Sequence, residues 1–298
     1  MQRGDLPESL GSAFGVAAAR RAGTSRGRLR ARDLERTFYG ARALSGVALV
    51  ADEDDDARRT YPRSKEVRGI HTRAAQYAPV MPEGAFFVGV TACALWDGPL
   101  PSSLFQRGQA YDPDVLEVGV HWPHRAPRGA GVTGRALRPA LVHAVVHPES
   151  GLPVASPAST WALLAPVLPH PYDLVAVADR FARIARPPHS RPDKPIPPQL
   201  ATLEQLAAAV DAGRREGIER LRAALPLVRT GAASRPETWT RLTLVDGGLP
   251  EPLLDHDVFD ELRRFVARVY MAYPQWKIVI EYEGEHHNTS EEWEHDID

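Results

Sequence analysis

Between residues 185 and 199 the chain reads ARPPHSRPDKPIPPQ, with prolines at Pro187, Pro188, Pro192, Pro195, Pro197 and Pro198. Each proline fixes φ and removes a backbone donor, so no helix can run through this stretch. A boundary is therefore expected here. The total of 298 residues suits two or three compact units, since single cores of roughly 100–150 residues are commonest. We expect an α/β protein divided at 1–45, 46–185, 186–199 and 200–298: a winged-helix-like unit, a mixed α/β middle domain, a proline-rich linker, and a C-terminal segment.

The sequence is 43% hydrophobic and 25% charged, a globular balance that excludes wholesale disorder. Its net charge of -2 hides an asymmetry. Arg20, Arg21, Arg26, Arg28, Arg30, Arg32, Arg36 and Arg42 crowd the first fifty residues, whereas the other end is acidic. Such a split fits a phosphate-bearing partner at the N-terminus, or simply an arginine-rich surface. The single cysteine, Cys93 in VTACALW, excludes an internal disulfide and reads as a small buried hydrophobe in a reducing cytoplasm. No apolar stretch approaches the roughly 18 residues that span a bilayer, so no membrane association is expected.

In residues 11–45 Ser12 can cap a helix over AFGVAAARRA, Gly23 can end it, and Thr24 or Ser25 can cap a second helix through RGRLRARDL. ERTFYGARAL then reads as a wing-like strand pair. In a winged helix-turn-helix the second helix enters the major groove, which makes Arg26, Arg28, Arg30 and Arg32 the candidate DNA contacts. A packing unit is the alternative, because basic residues at every second position cannot all face one groove on a helix of 3.6 residues per turn.

The run ADEDDDARR at 51–59 reads as a solvated acidic loop. Beyond it, PEGAFFVGVTACALW suggests a turn, an apolar segment and a helix, while Leu116, Val118 and Val120 alternate as in a half-buried strand. ALVHAVVH suggests another strand; its His143 and His147, like His121 and His124, lack a third metal ligand. Ser156 and Pro157 open a helix through VASPASTWALLAPVL, and Leu174, Val175, Ala178, Phe181 and Ile184 mark the buried face of the next. After the prolines, Thr202 and Gln205 have capping-box spacing ahead of a helical hairpin interrupted at Gly213 and Gly217.

The last sixty residues read as helix, strand, strand and a helix start: SRPETWTRLTLVDGGLPEP, VFDELRRFVARVYMAYP, QWKIVIEYEGEHH and EEWEHDID. A strand over 277–283 places Glu281 and Glu283 on one face, with Lys277 and Val279. Two such acids, if buried, call for a divalent cation, and hard oxygen ligands select magnesium or manganese. A solvated edge strand is the alternative.

The phrases RPETWTRLTLVDGGLPEP and ARVYMAYPQWKIVIEYEGEHH resemble the C-terminal segment of actinobacterial proteins related to the very-short-patch-repair endonuclease, in the PD-(D/E)XK nuclease superfamily. Upstream phrases resemble the same proteins, whose N-terminal part is similar to the antitoxin (AbiEi) of type IV abortive-infection systems. The resemblance spans most of the chain. It implies a restriction-endonuclease-like C-terminal segment with Glu237 as the helix acid, Glu281 as the central metal ligand, Glu283 as the second strand acid, and His286 or His287 near the scissile phosphate. Where the family reads V-D-L-A-Y-P, this chain has Val269-Tyr270-Met271-Ala272-Tyr273-Pro274, so Tyr270 stands at the principal carboxylate. A neutral phenol is no substitute for a carboxylate as magnesium ligand.

The chain also ends at Asp298, within the expected helix start, which implies a truncated nuclease sheet. The resemblance thus implies a DNA-directed protein of defence or toxin-antitoxin type whose endonuclease site is inactive or weakened. If it cuts, magnesium-assisted hydrolysis of a DNA phosphodiester is implied. A non-catalytic antitoxin-like regulator, holding operator DNA and a toxin-like protein partner, is the reading from a different class.

Overall fold

The computed structural model describes residues 6–47, 49, 63–106, 111–189, 193, 196–232 and 234–282. Among the described residues the fold is mixed α/β with three sheets. The acidic run at 51–59 lies outside the described residues.

Residues 13–44 form a small three-stranded antiparallel sheet in the order β1 (Ala13–Gly15), β3 (Ala41–Leu44), β2 (Leu34–Glu35), with one helix, α1 (Val16–Arg21). The helix expected from Ser12 begins later: Ala13–Gly15 pairs with β3, and Gly15 becomes the residue before α1. The second expected helix is reduced to one 3₁₀ turn, Arg28–Arg30. Leu29 anchors that turn in a small core with Phe14, Ala19 and Leu34. Arg28 is drawn into structure, its Nη1 and Nη2 donating to Asp33 at 3.0 and 2.8 Å.

The middle sheet has six strands in the order β6 (Arg128–Gly129), β7 (Val132–Leu137), β5 (Leu116–His121), β4 (Phe86–Phe87), β9 (Pro153–Ala155) and β8 (Ala144–Val146). β5 runs parallel to β7, and β4 parallel to β9; the remaining pairs are antiparallel. Helices α2 (Lys65–Tyr77) and α3 (Gly89–Leu95) both pack on β5. Both faces of β5 are consequently buried, Glu117 as well as Val118, which corrects the half-buried strand expected from its alternation. Gly89 sits at φ +56°, and a Cβ there would fall 2.2 Å from Glu117 Oε2. Only glycine accommodates both that conformation and that approach.

Helices α4 (Pro157–Leu164) and α5 (Pro171–Ala182) follow β9. Ser156 caps α4 by accepting from the Ser159 amide, with Pro157 in its first turn. Helix α5 is buried almost all round, including Asp173 and Asp179, whereas Ile184, expected on its buried face, lies beyond the helix and is exposed.

The proline segment does not separate two cores. Leu206 and Val210 of α6 (Leu203–Asp211), Leu221 of α7 (Ile218–Ala224) and Leu242 of α8 (Arg235–Asp246) belong to the same buried cluster as Phe86, Trp161 and Phe181 before it. Prolines exclude regular structure locally, but apolar burial is indifferent to sequence distance. Thr202 and Gln205 complete the capping box at the start of α6.

The third sheet is antiparallel, β10 (Leu253–Phe259), β11 (Phe265–Tyr273) and β12 (Ile278–Ile280). The segment expected as one strand, 258–274, is therefore a turn plus β11, with β10 arising from LLDHDVF just upstream. Asp260 closes this hairpin by accepting the Leu262 and Arg264 amides at 2.9 and 2.8 Å. Strand β12 is shorter than expected because Lys277 adopts φ +54° as the residue ending a 3₁₀ turn at Pro274–Trp276. Lys277 thereby leaves the strand alternation.

Candidate functional site

The site begins with the way α8 is fixed. Ser234 caps this helix: its Oγ accepts from the Glu237 amide at 3.4 Å and donates to Glu237 Oε1 at 2.8 Å. Glu237 is thus held at the start of the helix and is buried. Helix α8 is joined to α5 by polar contacts along the same side. Asp173 Oδ1 accepts from Arg235 Nε at 2.6 Å and from Trp239 Nε1 at 2.8 Å. Asp179 accepts from the Arg229 amide at 2.7 Å, Thr238 Oγ1 at 2.8 Å and Arg241 Nη2 at 3.0 Å.

Strand β11 then brings Tyr270 to this helix. Met271 pairs with Ile280 and Ala272 with Val279, a register that carries Glu281 opposite Tyr270 at the end of β12. The Tyr270 amide donates to Glu281 Oε1 at 3.2 Å. Partial burial raises the phenol's pKa above 10, and the charges of Glu237 and Glu281 raise it further against the opposing influence of Arg183. Burial also lifts the Glu281 carboxyl above its ordinary range, offset in part by that amide. The Tyr270 phenol therefore feels the charges of both Glu237 and Glu281.

Glu283, His286 and His287 lie outside the described residues. Among the described residues no group of three or more histidines, cysteines, aspartates or glutamates could hold a metal ion. Glu237 and Glu281 alone do not furnish a magnesium site, since Glu237 is committed to its helix cap and the phenol contributes no charge.

The N-terminal candidates divide. Arg26, Arg30 and Arg32 are exposed, whereas Arg28 is spent on Asp33. Of the histidines weighed as metal ligands, the rings of His121 and His147 have structural explanations, while His124 and His143 are exposed. His121 Nε2 lies 3.0 Å from the Val142 carbonyl, with its ring against Phe86. His143 presents its amide to Ser159 Oγ at 2.9 Å. His147 packs on Trp96 with ring centroids 4.5 Å apart, and burial lowers its pKa.

Sequence reasoning missed two polar networks. One is the buried set of Asp173, Asp179 and Arg241, foreshadowed by two aspartates inside the apolar phrase DLVAVADRFA. The other braces the hairpin. Asp257 receives Arg268 Nε at 2.7 Å and also binds Arg186, while Arg268 Nη1 reaches the Pro187 carbonyl at 2.8 Å. His189 stacks on Phe265 at 3.6 Å. The proline segment is in this way tied to β10 and β11.

No family model matches the chain, and no curated protein matches its sequence. No helix among the described residues is long and apolar enough to cross a membrane.

Proposed function

We propose that this is a DNA-directed cytoplasmic protein of defence or toxin-antitoxin type, with a nuclease-like C-terminal site disabled at Tyr270. The supporting observation is the contact of the Tyr270 amide with Glu281 Oε1, beside which the charges of Glu237 and Glu281 both act on the Tyr270 phenol. A carboxylate there would complete a cluster able to attract a divalent cation, with Glu281 and, as the resemblance implies, Glu283 as ligands. The phenol cannot, because it is neutral at physiological pH. In this reading the N-terminal unit is winged-helix-like and the C-terminal segment restriction-endonuclease-like.

A second reading rests on the exposed Arg26, Arg30 and Arg32. In it the protein is a non-catalytic regulator that holds operator DNA through the N-terminal unit and a toxin-like protein through the remainder. Specific operator binding survives competitor DNA, whereas nuclease-type backbone binding is sequence-blind and falls steeply with salt.

Plasmid nicking in magnesium or manganese, by the parent chain, by Glu281→Ala, by Tyr270→Asp, and by Tyr270→Asp combined with Glu281→Ala, tests the first reading. Nicking by Tyr270→Asp alone supports a site disabled at one position. Nicking by the parent, abolished by Glu281→Ala, refutes the disabled site; silence from every variant leaves the regulator as the better reading.

A further inference from the structure

A cleft of about 420 Å³ opens between β7, α4 and the turn at 213–217, with Arg135, Leu137, Leu163, Pro166, Arg215 and Glu216 among its lining residues. Its far wall is firmly built. Gly217 sits at φ +75° so close to α4 that a Cβ would lie 2.7 Å from Ala165 Cβ. Arg220 closes the same junction by donating to the Ala165 and Leu168 carbonyls at 2.5 and 2.7 Å. From this wall comes Arg215, whose Nη2 donates to the Ala209 carbonyl at 2.8 Å. Its Nε and Nη1 are out of solvent and have no hydrogen-bond partner among the described residues.

The near wall is equally basic. Arg135 lies 3.7 Å from Glu117, a carboxylate already engaged at 2.6 Å by the Val90 amide. Arg128 of β6 pairs with Thr133, two residues before Arg135, so Arg128 and Arg135 share a face of the sheet. The segment 118–148, which supplies this wall, contains no aspartate or glutamate. Arg135 and Arg215 thus both line the cleft, with Leu137, Leu163 and Pro166 as apolar lining and one acid, Glu216.

We propose that this cleft binds a nucleotide phosphate ester, the phosphate between Arg135 and Arg215 and the base against Leu137, Leu163 and Pro166. Guanidinium forks match phosphate oxygens two at a time. With a turn of the Arg215 side chain toward the cleft, a phosphate oxygen supplies the acceptor that its Nε and Nη1 lack, and such groups are ordinarily satisfied. The apolar side chains of Leu137, Leu163 and Pro166 suit a base better than a peptide side chain bearing charge. The ligand is a free nucleotide or a nucleotide of a single strand, and the chemistry recognised is the same. The assignment does not depend on whether the carboxylate site cuts.

Calorimetric titration of the full chain with inorganic phosphate, adenosine 5′-monophosphate, a short single-stranded oligonucleotide and a glutamate-rich peptide tests it. The oligonucleotide arm uses a chain with Arg26, Arg30 and Arg32 replaced by alanine, so that the N-terminal unit does not contribute. The nucleotide is expected to bind more tightly than phosphate, and Arg135→Gln, at unchanged melting temperature, to weaken it at least tenfold, with Arg215→Gln acting in the same direction. Binding of the monophosphate without the oligonucleotide identifies a free nucleotide; binding of both identifies strand recognition. Failure of all phosphate ligands, equal binding by Arg135→Gln, or a peptide as tight as the nucleotide overturns the proposal.

Discussion

Asp179 Oδ2 and Arg241 Nη2 meet at 3.0 Å with both side chains sealed from solvent, joining α5 to α8 through the middle of the core. Burial alone drives the Asp179 carboxyl upward, and the Arg241 charge with three donated hydrogen bonds opposes that rise. The pair is worth more in its loss than in its presence, because removing one partner leaves a buried charge uncompensated. Asp179→Ala is expected to cost about 3–5 kcal/mol in urea unfolding. The double variant Asp179→Ala with Arg241→Met is expected to recover part of that loss. A single variant as stable as the parent would show that Glu251, which receives Arg241 Nη1 at 2.9 Å, carries the guanidinium by itself.

Gly89 gives a second, sharper test of the core. Gly89→Ala forces a Cβ against the Glu117 carboxylate in a left-handed backbone conformation. The backbone alone costs roughly 1–2 kcal/mol, and the clash adds to it. Combining it with Glu117→Ala is expected to return the steric part but not the backbone part. Thermal melts of the two single variants and the pair separate these contributions.

Asp97 makes stability depend on acid pH. Burial raises its carboxyl pKa, but hydrogen bonds and charge from His71 and Arg63 outweigh that and hold it well below the ordinary 3.8. Arg63 supplies this through Nε at 2.6 Å and Nη2 at 3.1 Å. The unfolded chain then binds the extra proton as pH falls, so the contribution is complete above about pH 3.8 and is lost as pH drops through the depressed folded value. Asp97→Asn is expected to flatten the stability profile below pH 4 while lowering stability at neutral pH. A parallel downward shift at every pH would refute this assignment.

For the N-terminal unit, the arginines are expected to separate by role. Replacing Arg26, Arg30 and Arg32 with alanine should reduce the salt dependence of DNA binding by roughly 0.9 in logarithmic slope for each phosphate no longer neutralised. Arg28→Ala should instead loosen the small core around Leu29, seen as faster amide exchange there. An unchanged slope in the triple variant would remove DNA binding from this surface.

How much of this was legible in the sequence depends on where polarity had a local signature. The caps at Ser156 and Thr202 follow from side chains that reach only three residues onward, and they formed where spacing placed them. The hairpin of β10 and β11 was not legible, because its turn is closed by Asp260 and not by a glycine or asparagine signal. Nor was the partnership of Asp179 with Arg241, whose members are separated by the prolines. Tyr270 was singled out only through resemblance; its contact with Glu281 depends on strand register, which no local pattern discloses.

The core that starts at Phe38 is closed by Leu242. During synthesis the ribosome therefore exposes α4 and α5 before the later helices that pack on them, α6, α7 and α8, exist. Nascent chains interrupted before α8 present an apolar surface and two aspartates whose arginine partners have not yet been made. Chaperone demand should consequently fall abruptly once α8 has left the exit tunnel, a step set by the order of translation and invisible in the finished fold.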